Sequence, residues 1–370
     1  MKKILFLIHS LGRGGAEKVL VSLVNNMDRT KFDISLTVLF GGGVNEQFLR
    51  PDIHFRAVWP KAFPGNSHVM KVLSPERMHA MCVKGEYDIE VSYLEGPSAR
   101  VISGCRNPDT KKVCWIHVEQ KTTGCAAQSF RSAKEAARCY NRFDRIITVS
   151  QTVRQDFCSV LPITVPVQVL YNTNESKKIL ALAQESPGMS YSSKEQNLIS
   201  VGRIREQKGF DRLARIHVRL REAGYPVHTY ILGVGPDQSA IQTYLDQTGA
   251  GESFTFLGYD TNPYRWVARA DLFVCSSLAE GFSTAATEAL IVGTPVCTVE
   301  VSGMKEMLGE HNEYGLVTEN TEEALYQGIR SLLDDPVLLG HYREQAAIRG
   351  QDFRTEETVR AAEEMFEGLA

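Results

Sequence analysis

Four charged side chains in this sequence stand at spacings that could do chemistry. Arg203 and Lys208 are separated by four residues in Gly202-Arg-Ile-Arg-Glu-Gln-Lys-Gly209, and Glu280 and Glu288 lie eight apart in Glu-Gly-Phe-Ser-Thr-Ala-Ala-Thr-Glu. Two cations on one loop suit a diphosphate, the guanidinium as a planar fork and the ammonium as a point charge. Two carboxylates at the second spacing, one on a loop and one on a helix, can reach hydroxyls on different parts of one long ligand. Each pair also has a plainer reading. Arg203 and Lys208 could form salt bridges with Glu206 or Asp211, and Glu280 and Glu288 could be solvated charges on a loop and a helix. The presence of the second pair makes the diphosphate reading of the first the preferred one.

Both pairs need the same scaffold. An apolar run ends at Val201 before the Arg203 loop, and a helical pattern starts near Phe210. Another run, Leu272 to Val274, precedes the Glu280 loop, after which Ala285, Ala286, Ala289, Leu290 and Val292 repeat with helical period. Ser283 or Thr284 can cap that helix, so the amides of Phe282, Ser283 and Thr284 are expected to face the crevice at the carboxyl end of a parallel sheet. Strand candidates at Asn197 to Val201, Tyr230 to Leu232 and Phe256 to Leu257 end in glycines or polar residues, placing Gly233 and Tyr259 on neighbouring loops.

The order Glu-Gly-Phe-Ser, three residues, Glu-Ala-Leu, then Gly-Thr-Pro-Val resembles the retaining nucleotide-sugar glycosyltransferases of family 4. The resemblance implies an α/β chain of GT-B fold, two Rossmann-like domains whose parallel sheets face an interdomain cleft. It implies that Glu280 contacts hydroxyls of the donor sugar, that Glu288 holds the ribose, that Arg203 and Lys208 take the diphosphate, and that the loop at Tyr259 lies by the base. It is strongest over Asn197 to Val317. In the first half it is carried by Gly14-Gly-Ala-Glu17, by Trp115-Ile-His117 and by Asn172, which imply diphosphate-facing amides at Gly14 and Gly15, a donor-sugar contact at His117 and an interdomain position for Asn172.

The rest of the first half alternates in the same way. Ile4 to Ile8, Ile34 to Phe40, Ile89 to Tyr93, Lys112 to Ile116 and Arg145 to Val149 read as strands, and Ala16 to Asn26 as a helix. Gly12-Arg-Gly-Gly15 departs from the dinucleotide pattern Gly-x-Gly-x-x-Gly, because position 17 is Glu, and is not a Walker loop. Glu95 follows a strand and could bind acceptor hydroxyls or stabilise a turn; Glu119 stands where relatives often have Asp; Ser150 could cap the next helix. The polar text from Thr173 to Gln196 reads as a linker, dividing an acceptor domain, 1–172, from a donor domain, 173–354, with a final helix, 355–370, returning to the first.

With 370 residues, 43% hydrophobic and 23% charged, the chain is long enough for two buried cores and has the balance of a soluble globular protein. The apolar run after Lys2 and Lys3 is too short for a secretory or spanning segment. Eight cysteines without a Cys-x-x-Cys pair are expected to be reduced, buried thiols of a cytoplasmic protein rather than a disulfide framework or zinc site. No Asp-x-Asp occurs, so no divalent metal is expected to serve the diphosphate and no cofactor beyond the nucleotide-sugar co-substrate. Met1 to Glu175 hold 23 Lys and Arg against 16 Asp and Glu, and the remainder carries the opposite excess. That basic half suits an acidic acceptor or an anionic membrane surface, or is simply a solvated face. Phe55 to Phe63, with Trp59 beside Lys61, and Val69 to Val72 around Lys71 read as an irregular basic and apolar segment that could meet a bilayer, unless Trp59 and Phe63 belong to the core.

The resulting expectation is a retaining, metal-independent transfer of a hexose or N-acetylhexosamine, from a UDP-sugar before a GDP-sugar, to a saccharide or lipid-diphosphate-linked acceptor in capsule or other surface polysaccharide synthesis. No nucleic-acid partner is expected. A GT-B-shaped nucleotide-sugar 2-epimerase is the alternative enzyme, disfavoured by the two motifs. A non-catalytic binding homologue is disfavoured because Arg203, Lys208, Glu280 and Glu288 occur together.

Overall fold

The computed structural model describes residues 1–188, 191–301 and 303–369, with the side chains of 67–69 left out. The expected positions Val69 (its side chain), Ser190 and Ala370 therefore lie outside the described residues. Contacts divide the chain into two units, 1–174 with 355–370, and 175–354.

The first unit is built on seven strands: β1 (Lys2–Ile8), β2 (Phe32–Phe40), β3 (His54–Trp59), β4 (Ile89–Ser92), β5 (Lys111–Ile116), β6 (Arg145–Thr148) and β7 (Val167–Val169). They form one sheet in the order β3-β2-β1-β4-β5-β6-β7, every pair parallel. A parallel strand covered on both faces needs a continuous apolar run, which is why Ile4 to Ile8 are all buried. The helix Thr355–Glu367 belongs to this unit: Phe366 meets Phe6 and Phe32 edge-on at 5.8 and 6.2 Å.

The second unit repeats the plan with β8 (Gln196–Val201), β9 (Val227–Leu232), β10 (Phe254–Gly258), β11 (Leu272–Cys275), β12 (Val296–Val299) and β13 (Leu316–Thr318). Their order is β10-β9-β8-β11-β12-β13, again parallel. Its core gathers Leu198, Ile231, Leu272 and Val274 from the sheet with Leu213, Ile216 and Ile329 from the helices on it.

Three expectations are corrected. The stretch read as a linker contains the helix Ser176–Ala183, with Ile179 and Ala183 buried, and Tyr191 packs its ring 4.4 Å from Tyr230. Its polar flanks hide a short amphipathic core. The segment read as irregular is strand β3 followed by the helix Asn66–Val72. Trp59 stacks on Phe40 at 5.3 Å and Phe63 meets both rings edge-on, so these two half-buried rings pack against the buried Phe40. Cys125 and Cys158 are exposed, whereas the other six cysteines are buried; all eight are free thiols.

Candidate functional site

In a parallel sheet all the carboxyl ends share one edge, and each sequence-selected residue lies just beyond such an end. In the second unit Arg203 follows β8, Gly233 follows β9, Tyr259 follows β10, and the run from Glu280 to Glu288 follows β11.

The loops after β8 and β11 are stitched together. Lys208 Nζ donates to Glu280 Oε1 at 2.5 Å, and the Ser277 hydroxyl donates to the same oxygen at 2.6 Å. Ser276 Oγ donates to the Lys208 carbonyl, and the Leu278 amide to the Gln207 carbonyl. Beneath them the buried Arg212 guanidinium donates to the carbonyls of Ser276 and Ser277 at 2.7 and 2.9 Å. Gly209 makes this approach possible. Its φ is 62°, and a Cβ there would stand 2.1 Å from the Ser276 carbonyl oxygen. Burial works against the Lys208 ammonium, but the Glu280 carboxylate outweighs it and holds the lysine pKa above its ordinary value.

Lys208 is thus paired with Glu280 rather than with Glu206 or Asp211; Asp211 is taken by Arg215. Arg203 is exposed and has no hydrogen-bond or ion-pair partner among the described residues. The site therefore offers one cation neutralised by a carboxylate and one open to an incoming anion.

The β8 loop is pinned from its other side by glycines. A Cβ on Gly233, whose φ is 149°, would lie 1.9 Å from the Gly202 carbonyl oxygen, and one on Gly235 would lie 2.0 Å from that of Ile204. Tyr259 is exposed, just past Gly258. After β11, Ser283 Oγ accepts the Ala286 amide and caps the helix Thr284–Ile291, leaving the earlier first-turn amides without partners inside the helix itself. The Phe282 ring is buried against Phe353, 6.0 Å away. Glu288 is buried and accepts from the Tyr264 hydroxyl at 3.4 Å, so the two glutamates occupy different settings, not one shared carboxylate pair.

In the first unit Gly15 opens the helix Gly15–Asn26 after β1, with Gly14 as its cap residue. A Cβ on Gly14 would fall 2.1 Å from Glu17 Oε2, so the bare glycine makes room for a carboxylate whose own pKa burial raises. Glu95, beyond β4, accepts the His117 amide at 2.9 Å, joining the ends of β4 and β5. The bond braces two loops rather than the turn at Glu95 itself, since the His117 amide lies 22 residues away. Burial pushes the Glu95 pKa up, and pushes the His117 imidazole down to about 3. The His117 ring lies 4.9 Å from Tyr93, and its Nε2 is buried with no hydrogen-bond partner among the described residues. Glu119 pairs with Lys121 at 2.8 Å, Ser150 caps the helix Gln151–Val160, and Asn172 is buried beyond β7.

Three contributors escaped the sequence reading. Ser277 was signalled only by its place after the strand. Arg212 and Tyr264 carried no signal, since each acts on a partner 64 or 24 residues away.

Comparison with known proteins agrees with this fold. The Glycosyltransferase Family 4 model matches residues 13–173, and the Glycosyl transferases group 1 model matches 189–351. The N-acetylgalactosamine-N,N'-diacetylbacillosaminyl-diphospho-undecaprenol 4-alpha-N-acetylgalactosaminyltransferase of Campylobacter jejuni is 25% identical over 95% of this chain and 96% of its own. A GDP-mannose-dependent alpha-(1-6)-phosphatidylinositol dimannoside mannosyltransferase of Mycobacterium tuberculosis is 25% identical over 62% of this chain and 58% of its own. Among solved structures, Anabaena Alr3699/HepE in complex with UDP and glucose superposes with a TM-score of 0.81 at 20% identity, covering 99% of this chain and 100% of that one. Sucrose-phosphate synthase of Thermosynechococcus elongatus gives 0.80 at 18% identity, over 100% and 99%. With two parallel-sheet Rossmann-like units and both family models matched in order, the chain belongs to the family 4-like glycosyltransferases of GT-B fold.

Proposed function

We propose that this glycosyltransferase moves a hexose or N-acetylhexosamine from a UDP-sugar to a saccharide carried on a lipid diphosphate, with retention of configuration. The observation that carries the reading is the Lys208–Glu280 pair beside an exposed Arg203 at one sheet edge. A donor diphosphate would draw on Arg203 directly. Lys208, already held charged and in place by Glu280 and Ser277, would stabilise the negative charge that grows on the leaving diphosphate. The acceptor hydroxyl oxygen bonds to the anomeric carbon on the face from which the diphosphate oxygen departs, and its proton leaves with the diphosphate. No covalent intermediate on the protein is formed.

Glu288 is assigned to the ribose, the loop at Gly233 and Tyr259 to the base end, and the amides of Phe282, Ser283 and Thr284 to the sugar diphosphate. On the first unit, Gly14 and Gly15 are assigned as anion-facing amides, with His117 and Glu95 meeting sugar hydroxyls. The lipid-linked acceptor is supported by the activity for which the Campylobacter relative is named, and UDP by the complexes of the Anabaena structure. A role in surface polysaccharide synthesis follows from such an acceptor. Two cations in place of an Asp-x-Asp pair support transfer without a divalent metal, so EDTA should leave initial rates unchanged; loss of activity restored by Mg²⁺ or Mn²⁺ would refute this.

No helix among the described residues is long and apolar enough to cross a membrane. Peripheral contact from the cytoplasmic side would rest on exposed Lys61, on Lys71 and on the 74% exposed Val72, not on the packed rings of Trp59 and Phe63. Binding to anionic liposomes that falls with salt and with Lys61→Glu and Lys71→Glu together tests it. The central experiment is a thermal-shift screen of UDP, GDP and ADP followed by turnover with the stabilising nucleotide's sugars and the anomeric configuration of the product by NMR. Stabilisation by GDP alone, or an isomerised sugar nucleotide instead of free nucleotide, would overturn the donor or the reaction type.

A further inference from the structure

Away from the transfer site, three unlike donor groups converge inside the first unit. His79 comes from the helix Pro75–Cys82, Glu90 from β4, and Cys105 from the turn after the helix Pro97–Ile102. Their ligand atoms all lie within 4.8 Å of one another, and among the described residues no other trio of His, Cys, Asp or Glu does this. His79 Nε2 and Glu90 Oε2 are 2.7 Å apart.

Two features say that this meeting is built. Gly104 lies so close to the start of the His79 helix that a Cβ there would stand 2.0 Å from the Pro75 carbonyl oxygen; the bare glycine lets the turn close and sets Cys105 beside His79. Glu90, in turn, is 3% exposed in the middle of a sheet and has no lysine or arginine on its carboxylate among the described residues; His79 is its hydrogen-bond partner. So buried a carboxylate is costly unless a cation shares its site, a part that a protonated His79 plays in the ion pair and that a metal ion bound in place of its proton would take over.

We propose that His79, Glu90 and Cys105 form a three-ligand Zn²⁺ site that ties this helix, β4 and the turn at Cys105 together. One imidazole, one carboxylate and one thiolate make a borderline donor set that suits zinc and disfavours magnesium or calcium. Tetrahedral zinc holds such ligand atoms about 3.3 to 3.8 Å apart. The His79–Glu90 contact would open by less than about 1 Å, within the reach of side-chain rotation. Binding releases the thiol proton and the proton that His79 shares with Glu90 to solvent, and a water takes the fourth position on the partly exposed His79 side. The site is separate from the diphosphate chemistry, so metal loss is read as a fall in Tm and not in turnover.

The test is a Co²⁺ titration of the full chain carrying Cys125→Ser and Cys158→Ser, which removes the two exposed thiols. The expected result is about one equivalent bound, with tetrahedral d–d bands and a thiolate-to-cobalt charge-transfer absorption that Zn²⁺ abolishes. His79→Gln in the same background should weaken binding at least about tenfold, the least that losing even an outer partner of a metal ligand costs. If circular dichroism shows that His79→Gln is unfolded, Glu90→Gln takes its place. A folded protein with no cobalt–thiolate absorption overturns the proposal, as does an absorption that a folded His79→Gln or Glu90→Gln variant leaves unchanged.

Discussion

The two units place polar residues at the same edge of similar sheets but prepare them in opposite ways. In the second, Lys208 and Glu280 meet as an ion pair and their loops are tied by Ser276, Ser277 and Arg212. In the first, burial drives Glu95 and His117 toward their neutral forms, and the bond between them is a backbone amide on a carboxyl oxygen. A charged, cross-braced edge is suited to developing phosphate charge. A neutral, buried edge is suited to sorting hydroxyls, where a misplaced charge would cost more than it gained.

The comparison predicts unequal responses to similar lesions. Lys208→Ala should lower kcat about 10²- to 10³-fold at saturating donor, the range for losing one preorganised electrostatic group. A drop of the same size from Glu95→Gln, expected to cost under about tenfold because Gln still offers an oxygen to the His117 amide, would erase the distinction. Steady-state kinetics of both variants settle it.

Backbone lesions should follow the same division. Gly209→Ala puts a methyl into the Ser276 carbonyl at positive φ and is expected to cost about 2–3 kcal/mol. Gly14→Ala meets only the flexible end of Glu17 and should cost less than about 1 kcal/mol, unless the Glu17 position is itself required. Urea denaturation of each variant measures the gap.

Acid should act on both units alike, and this sharpens the contrast. His117 and His217 are buried and held neutral, each with a pKa near 3, His217 between Thr229 and Ser253. The unfolded chain takes up these protons below about pH 6.5, so stability is expected to fall from there toward pH 3 by up to about 1.4 kcal/mol per pH unit for each histidine. Glu95, whose folded pKa is raised, contributes in the opposite sense, its share being lost as pH rises through that pKa. His217→Gln should flatten the Tm-against-pH curve below about pH 6.5; an unchanged slope would show that other groups carry the acid sensitivity. Smallest is Ser283→Ala, which removes the cap of the helix after Glu280 and should cost about 1 kcal/mol of stability with little change in the donor KM.

Much of this architecture can be read from the chain because parallel strands buried on both faces must be continuous apolar runs, and those from Ile4 to Ile8 and Leu272 to Val274 are unbroken. The loops carrying Arg203, Glu280 and His117 are legible for the same reason, as polar text directly after such runs. What stays hidden is pairing across distance. Nothing local says that Lys208 will choose Glu280 over Glu206, which is two residues away, because the choice is made by Gly209 letting two loops touch. The helix at Ser176 and strand β3 are missed because each is short and flanked by polar or turn-forming residues that dominate the window. Trp59 is ambiguous from composition alone, and the fold leaves it half-buried, one face stacked on Phe40.

The return of the helix Thr355–Glu367 to the first sheet bears on how the chain matures on the ribosome. Lys2 Nζ donates to the Phe366 carbonyl 364 positions later, Glu363 accepts the Asp28 amide, and Phe366 closes over Phe6, Phe32 and Trp115. The strands synthesised first must wait, their apolar face incompletely covered, while the whole second unit emerges and folds. For that interval the nascent first unit offers a ready hydrophobic client surface to chaperones, and a premature stop before Thr355 would leave that surface permanently uncovered.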